Sequence, residues 1–300
     1  MNLSIVTVPG MWVRRSLDPV WPKMNEQFKR PPLIDTSGIK RAGYIGPEGT
    51  WTHQATLDIF GDQVELVPFS DGLFETYERG CVDVACAPAT TSLVGTTPYL
   101  DQILSLRSPR IIAEYPKILS YSLIATEDAS FSTITKVMGH PVALQEVAAW
   151  LDENMPNVER ESRMGATSFV AEQKSPSIAA FGPALGAKLY NLQILRTGIE
   201  EGLHNVTRWW VLGRKTPAPT GFDRTTLHLR VSEQNLNYLL KMFSEEDLVV
   251  LNIYERPTCE RLDTHQYVID VAGHVSTNPA LAALAAIDGI RILGSYPRLY

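Results

Sequence analysis

Residues 44–56 read YIGPEGTWTHQAT, and this stretch sets the pattern for most of the chain. The apolar residues before Gly46 predict a strand, Pro47–Gly49 predict a turn, and Thr50 or Thr52 precedes a helix. The first turn of such a helix has unpaired backbone N–H groups, which can hold a carboxylate or a phosphate. A plain strand-turn-helix connection has the same pattern, so both interpretations stay open at this point.

The alternation of strands and helices continues on both sides of this stretch. Residues 41–115 hold the strand-like segments RAGYIG, VELVPF and VDVACAP, with helical segments between them. After residue 116 the strand-like segments are ILSYSLIAT, ITKVMGH, SIAAF and VTRWWVLG. This order predicts an α/β fold of two lobes, about 41–115 plus 205–214 and about 116–204, with a ligand cleft between them.

The two ends of the chain differ from this middle part. Residues 1–40 are interrupted by proline and glycine, which predicts an irregular N-terminal extension. The proline- and glycine-rich segment KTPAPTGFD, at 215–223, predicts a linker. Beyond it, residues 223–300 show the order β-α-β-β-α-β, which predicts a ferredoxin-like domain.

Composition narrows the class of protein. The 300 residues are 44% hydrophobic and 20% charged, with a net charge of −6, so no basic surplus favours nucleic acid. No apolar run is long enough to suggest a membrane span, and the first residues lack the charged start of a signal peptide. The cysteines, Cys81, Cys86 and Cys259, show neither disulfide nor zinc spacing. These features predict a cytoplasmic protein without a metal site.

Polar side chains stand at the ends of several predicted strands. The segment CAPATTSLVGTTPYLDQIL places hydroxyl groups after a buried strand, and His140 precedes a helix. In HNVTRWWVLG, at 204–213, Thr207 and Arg208 come just before an apolar run. Ligands of open α/β sheets bind at strand ends, which makes these groups candidates for binding a small molecule. Each also has a structural interpretation, as a helix cap, a structural histidine or a charged strand edge.

Taken in order, these segments resemble the prephenate dehydratase family from about residue 42 to the end. The family segments and their matches are GPxGT-F-S/T-x-x-A at 46–55, P-I-E-N-S at Pro88–Ser92, S-H-P-x-A-L-x-Q/E at His140, Pro141, Ala143, Leu144 and Gln145, N-x-T-R-F at Asn205, Thr207, Arg208 and Trp209, and L-G-S-Y-P-R at Leu293–Arg298. Their order and spacing make the resemblance specific.

The resemblance implies a fold, an activity and a set of residues. The fold is a two-lobed catalytic domain similar to periplasmic binding proteins, at 41–216, followed by an ACT regulatory domain at 223–300. The activity is that of a lyase, which removes carbon dioxide and water from prephenate to give phenylpyruvate without a cofactor. Thr207 is expected to supply the catalytic hydroxyl. The residues expected to bind this dicarboxylate are Gly49, Thr50, Thr90, Thr91, Ser92, His140, Asn205 and Arg208. A homodimer or homotetramer is expected to form through the ACT-like domain.

The chain departs from the family pattern at Trp51 and Trp209, which replace phenylalanine, at Gly139, which replaces the serine before His140, and over two whole segments. In PATTS, Ala89, Thr90 and Thr91 replace the isoleucine, glutamate and asparagine of P-I-E-N-S. In the ACT-like domain, the phenylalanine-sensing segments G-A-L and E-S-R-P are replaced by Gln234-Asn235-Leu236 and Tyr254-Glu255-Arg256-Pro257. Phenylalanine control is therefore not expected. Two other functions stay open: a relative that acts on prephenate or an analogue, for example by decarboxylation without aromatisation, and a non-catalytic sensor of a small carboxylate.

Overall fold

Three β-sheets form the framework of the protein, as the computed structural model shows for residues 34–200, 205–258 and 265–300. The strands are β1 (Arg41–Ile45), β2 (Glu65–Phe69), β3 (Val84–Thr91), β4 (Gly95–Thr96), β5 (Ile111–Ile118), β6 (Ser122–Ala125), β7 (Lys136–Gly139), β8 (Glu159–Ser162), β9 (Ile178–Gly182), β10 (Gln193–Thr197), β11 (Val206–Leu212), β12 (Asp223–Val231), β13 (Val250–Pro257), β14 (His265–Ala272) and β15 (Ile290–Pro297). The helices are α1 (Trp51–Phe60), α2 (Leu73–Glu78), α3 (Pro98–Ser105), α4 (Pro141–Glu146), α5 (Ala148–Asn154), α6 (Ala166–Gln173), α7 (Ala184–Leu189), α8 (Glu233–Glu245) and α9 (Pro279–Ala283).

The first sheet forms lobe 1 and has the order β2-β1-β3-β11-β5, with β4 paired to β3. Strand β1 runs parallel to β2 and β3, whereas β11 runs antiparallel between β3 and β5. Because side chains alternate along a strand, β11 sends Trp209 and Trp210 to opposite faces. Trp209 joins the core shared with lobe 2, and Trp210 joins the core shared with the C-terminal residues. Both faces of β11 are therefore buried.

The second sheet forms lobe 2 and has the order β10-β6-β9-β7-β8. The chain passes from lobe 1 to lobe 2 between β5 and β6, and it returns between β10 and β11. The predicted helix at 141–154 is interrupted at Val147, which has φ −111° and separates α4 from α5. The predicted strand ILSYSLIAT is likewise divided between the end of β5 and β6.

Residues 223–300 contain the third sheet and are called the C-terminal module. Its strands are antiparallel in the order β13-β14-β12-β15, and its elements follow the predicted order β-α-β-β-α-β. The module lies directly on lobe 1, since a Cβ atom at Gly294 would overlap the backbone oxygen of Ile111. Only glycine allows β15 to approach β5 this closely.

Two sequence predictions concern residues outside the described parts of the chain. Most of the predicted N-terminal extension, residues 1–33, lies there, and so does Cys259.

The sequence did not predict β4, β5, β8 or β10 as strands. Strand β8 shows why, because its segment ERES is almost entirely polar and largely exposed. It has no alternation of apolar and polar residues that would indicate a strand.

Candidate active site

A cleft of about 520 Å³ separates lobe 1 from lobe 2. Lobe 1 contributes the turn before α1, the end of β3, the start of α3 and part of β11. Lobe 2 contributes the starts of α4, α6 and α7. The volume falls within the range of roughly 300–1,000 Å³ that is usual for small-molecule sites.

Several helices begin at this cleft. The cleft is lined by residues 50–52, 97–99 and 165–168, and by His140 and Val142, which stand at the N-termini of α1, α3, α6 and α4. At the N-terminus of α6, the N-cap residue Gly165 has φ 64° and makes no side-chain cap. Unpaired N–H groups and the helix dipole favour negative charge at such ends. The cleft is therefore suited to an anion that has groups on both lobes.

Arg163 supplies a positive charge next to the start of α6. Among the described residues it is the one lysine or arginine that lines the cleft. Its guanidinium lies 3.6 Å from the centroid of the Phe169 ring and 3.5 Å from a carboxylate oxygen of Glu161. The sequence analysis missed Arg163, because a single arginine after an exposed polar strand has no distinguishing pattern.

Thr207 faces the cleft from β11. Its side chain is 4% exposed, and Thr207 and Trp209 both line the cleft because they lie on the same side of the strand. The indole N–H of Trp209 donates a hydrogen bond of 3.2 Å to Thr52 of α1. No hydrogen bond holds the Thr207 hydroxyl within the parts of the chain that the structure describes. This hydroxyl is thus available to a ligand.

Gly49 and Thr50 both line the cleft. The N–H of Gly49 donates to Nδ1 of His53 at 3.0 Å, so this ring nitrogen is an acceptor. Burial lowers the pKa of His53, which also stacks on Tyr44. A Cβ atom at position 49 would lie 3.1 Å from the Cα of Gly186 in α7. The close approach at Gly49 is therefore to the other lobe.

The hydroxyl-bearing residues Thr90, Thr91 and Ser92 differ in whether they reach the cleft. Thr90 and Thr91 lie in β3 rather than in a loop, and only Thr91 lines the cleft. The Thr91 hydroxyl accepts a hydrogen bond of 3.0 Å from the N–H of Val94. Ser92 accepts one of 2.9 Å from the N–H of Val206 and so ties the segment to β11. The expectation that Thr90 and Ser92 line the substrate site is not met by this geometry.

Arg208 lies on the opposite side of β11 from the cleft, so the expectation that it contacts the substrate is wrong. It is 3% exposed, and Nε donates to Glu114 of β5 at 2.7 Å. The guanidinium also donates to Asp270 at 2.7 Å and to the Tyr296 hydroxyl at 2.8 Å. The physical reason is the alternation of a strand: Thr207 takes the cleft face, and its neighbour must take the other.

Arg208, Arg224, Glu114, Asp270 and Tyr296 form a buried ion-pair cluster between lobe 1 and the C-terminal module. Nη1 of Arg224 lies 3.2 Å from both Glu114 and Asp270, so two cations face two carboxylates. Burial opposes these charges, but the two arginines hold the pKa of Asp270 below its ordinary value. The cluster therefore fixes β11, and with it Thr207, to the C-terminal module.

The lobe 2 wall contains His140 and a residue that the sequence analysis did not select, Glu146. Burial lowers the pKa of His140, whose Nδ1 accepts from the N–H of Val142 at 3.2 Å. Glu146 is 3% exposed and lines the cleft, whereas Gln145 is exposed. Counted from His140, the Q/E position of the family segment falls on Glu146, so the assignment to Gln145 was one residue off. Asn205 does not line the cleft but donates to Glu146 at 2.5 Å.

The residues expected at a regulatory site are spread over the C-terminal module. Gln234 and Asn235 are exposed at the start of α8, and Leu236 packs against the core of the module. Glu255 lies 2.7 Å from Nδ1 of His265. Arg256 donates to Asp101 of α3 at 2.9 Å and to the hydroxyl of Thr96, which lines the cleft, at 2.7 Å. Arg256 thus ties the module to a cleft element.

In residues 34–200, 205–258 and 265–300, no group of three or more histidine, cysteine, aspartate or glutamate side chains is arranged to hold a metal ion. None of the helices in these ranges is both long enough and apolar enough to cross a membrane.

Comparison with known proteins identifies the family. The sequence profile of prephenate dehydratase matches residues 42–217. The chain is 30% identical over 284 residues to a prephenate dehydratase of Mycobacterium sp. (strain JLS), covering 86% of this chain and 89% of that protein. It is 27% identical over 269 residues to a bifunctional chorismate mutase/prephenate dehydratase of Aquifex aeolicus, with coverages of 86% and 74%. The crystal structure of the Arthrobacter aurescens prephenate dehydratase with L-Phe superposes with a TM-score of 0.77 and 27% identity, over 86% of this chain and 90% of that one. The chain belongs to the prephenate dehydratase family.

Proposed function

We propose that the protein converts prephenate to phenylpyruvate, carbon dioxide and water in the cleft between its two lobes. The observation that carries this proposal is the hydroxyl of Thr207, which has no hydrogen bond to any described residue and faces a cleft bounded by helix N-termini of both lobes. Membership of the prephenate dehydratase family supports prephenate as the substrate. The geometry of the cleft supports a separate role for each of its walls.

The reaction needs orientation more than strong acid or base chemistry. Prephenate has two carboxylates and a ring hydroxyl. When the ring carboxylate leaves as carbon dioxide, its electron pair enters the ring, the carbon–oxygen bond breaks, and the ring becomes aromatic. The Thr207 hydroxyl stabilises the departing oxygen by donating a hydrogen bond as negative charge develops there. Positioning of the dianion by donors on both lobes supplies the remaining rate enhancement.

The cleft has separate surfaces for the ring and for the carboxylates. Trp51, Trp209 and Phe181 line it with apolar area that suits the six-membered ring. Trp51 packs edge-on against Tyr121, with ring centroids 5.9 Å apart, which fixes this wall. The start of α6 and the guanidinium of Arg163 offer N–H donors for a carboxylate on the lobe 2 side.

Incubation with prephenate distinguishes this function from the two alternatives. We expect phenylpyruvate, detected by its ultraviolet absorbance and identified by mass spectrometry. A decarboxylated product that keeps the ring hydroxyl would instead indicate the non-aromatising relative. Thermal stabilisation by prephenate without any product would indicate a carboxylate sensor, because a ligand of the native state stabilises it.

Replacing Arg163 with glutamine is expected to raise KM by about tenfold or more and to change kcat little. The reason is that a hydrogen bond to a charged group contributes about 1.5–3 kcal/mol, and 1.4 kcal/mol is a factor of ten. Steady-state kinetics with prephenate measure this. Arg160→Gln is the matched control, since Arg160 pairs with Asp152 outside the cleft. Equal KM values for the two variants would place Arg163 outside the substrate site.

We further propose that the C-terminal module is an ACT domain that does not respond to phenylalanine. Arg256, in one of the two altered segments, is engaged with Asp101 and Thr96. Phenylalanine at millimolar concentration should therefore neither inhibit the enzyme nor raise its melting temperature. The Arthrobacter aurescens enzyme, whose structure contains L-Phe, is the positive control. A saturable rise in melting temperature of this protein would contradict the proposal.

A second copy of the chain is the proposed partner of the C-terminal module. Strand β13 is an edge strand of its sheet, and an unpaired edge is a template for another strand. Ile253 on this strand is 46% exposed, and Val249 just before it is 59% exposed. We expect a dimer by light scattering and a monomer for Ile253→Lys. Phe131→Lys, an equally exposed site in lobe 2, should remain a dimer, and an unchanged mass for Ile253→Lys would exclude this edge.

A further inference from the structure

A buried carboxyl group faces the cleft opposite Thr207. Glu146, the last residue of α4, is 3% exposed and lines the cleft. A charged carboxylate in this position would repel a dianionic substrate and would be costly to keep out of water. The group therefore needs a role that an uncharged carboxylic acid can perform.

Asn205 places this carboxyl group near Thr207. Its side-chain N–H donates to Oε2 of Glu146 at 2.5 Å. Asn205 and Thr207 are two residues apart, with Asn205 just before β11 and Thr207 within it. Two residues of extended chain span about 6–7 Å. Glu146 and Thr207 consequently border the same part of the cleft from opposite lobes.

The surroundings of Glu146 favour its protonated form. Burial raises its pKa, and the charge of Glu200 raises it further, whereas hydrogen bonds from Tyr121 and Asn205 oppose the shift without reversing it. Glu200 itself accepts from the N–H of Tyr121 at 2.8 Å and stays at this wall. Among the described residues, the other ionisable groups that line the cleft are Tyr121, His140, whose pKa burial lowers, and Arg163 on the lobe 2 side, and Glu48 and Tyr99 on the lobe 1 side.

We propose that Glu146 is the catalytic acid that protonates the leaving oxygen of the substrate. This inference rests on the proposed dehydration of prephenate. As the ring carboxylate leaves as carbon dioxide, its electron pair enters the ring and the carbon–oxygen bond breaks. The departing oxygen keeps that bond's electron pair and takes the proton of Glu146, so water leaves. Thr207 donates a hydrogen bond to the same oxygen, and Glu146 regains a proton from solvent after the products depart.

Glu146→Gln tests this role, because the amide oxygen still accepts the hydrogen bond from Asn205 but the side chain supplies no proton. We expect kcat to fall by a factor of about 10²–10⁴, the usual contribution of a general acid. The wild-type enzyme needs Glu146 protonated, so its kcat should fall as pH rises through the raised pKa. This falling limb should be absent from Glu146→Gln and present, at reduced kcat, in Glu146→Asp. Glu153→Gln, the same change at an exposed site of α5, should leave both kcat and the pH profile unchanged.

The outcomes separate this inference from the proposed function. If the wild type forms phenylpyruvate and Glu146→Gln keeps its kcat within about threefold or keeps the falling limb, the acid role is wrong and dehydration stands. A wild-type profile without any falling limb overturns the role as well, even if Glu146→Gln does not fold. If the wild type forms no phenylpyruvate, the proposed function fails and this inference fails with it. Melting curves of each variant establish that the folded protein is compared.

Discussion

Thr207→Ala is expected to lower kcat by about a hundredfold or more while KM changes less. Loss of one positioned donor at a developing negative charge commonly costs a factor of about 10²–10³. The Thr207 side chain faces the cleft and has no hydrogen bond within the described residues, so its hydroxyl is free for the substrate. Steady-state phenylpyruvate formation at saturating prephenate measures the effect.

Thr207→Ser is the matched control for this result. Serine keeps the hydroxyl and loses only a methyl group, so most of the turnover should remain. Melting temperatures should stay close for both variants, because position 207 takes no part in the buried ion-pair cluster behind β11. If Thr207→Ala keeps kcat within about threefold of the wild type, the threonine is not a catalytic donor.

Arg208→Met is expected to lower the free energy of unfolding by about 3–5 kcal/mol, the usual cost of breaking a buried ion pair by removing one partner. Glu114 and Asp270 are both fully buried and would keep only Arg224 of the two cations that they share. Methionine fills similar space without charge, so the loss of packing stays small. Urea denaturation followed by tryptophan fluorescence measures the change, since Trp209 and Trp210 are the next residues in β11.

Two further variants define what Arg208 does. Arg79→Met changes an exposed arginine and should alter the free energy of unfolding by no more than about 0.5 kcal/mol. Arg208→Lys should lie between wild type and Arg208→Met, because one ammonium group cannot reproduce the planar fork of donors. A raised KM with unchanged stability in Arg208→Lys would instead return Arg208 to the substrate site.

The positions of Thr207 and Arg208 illustrate what could and could not be predicted from the sequence. The apolar run WWVL predicted a buried strand, and β11 confirms this prediction. A strand that is buried on both faces gives no signal as to which face lines a cleft. The partners of Arg208 lie 94 and 62 residues away, at Glu114 and Asp270, and no local pattern connects them. Assigning both Thr207 and Arg208 to the substrate site was therefore wrong for Arg208.

The sequence predicted the strands and helices that form the cleft better than it predicted the charged residues that line it. The stretch around Gly49 and Thr50 correctly predicted a strand, a turn and a helix that begins at position 51. Arg163 and Glu146 could be assigned to the cleft only from the packing of the two lobes in the structure. Arg163 follows a polar edge strand, and Glu146 ends a six-residue helix whose buried side depends on its packing in lobe 2. Long-range packing, rather than local pattern, selects both residues.

Product stoichiometry tests the central claim most directly. Purified wild-type protein is incubated with prephenate, and the carbon dioxide released and the phenylpyruvate formed are measured in the same reaction. The account predicts equal amounts of the two products, with both rates reduced together in Thr207→Ala. Carbon dioxide release without phenylpyruvate would show decarboxylation that stops before aromatisation, and unchanged prephenate would show that the cleft binds without catalysing. Either result would contradict the assignment of this cleft as a prephenate dehydratase active site.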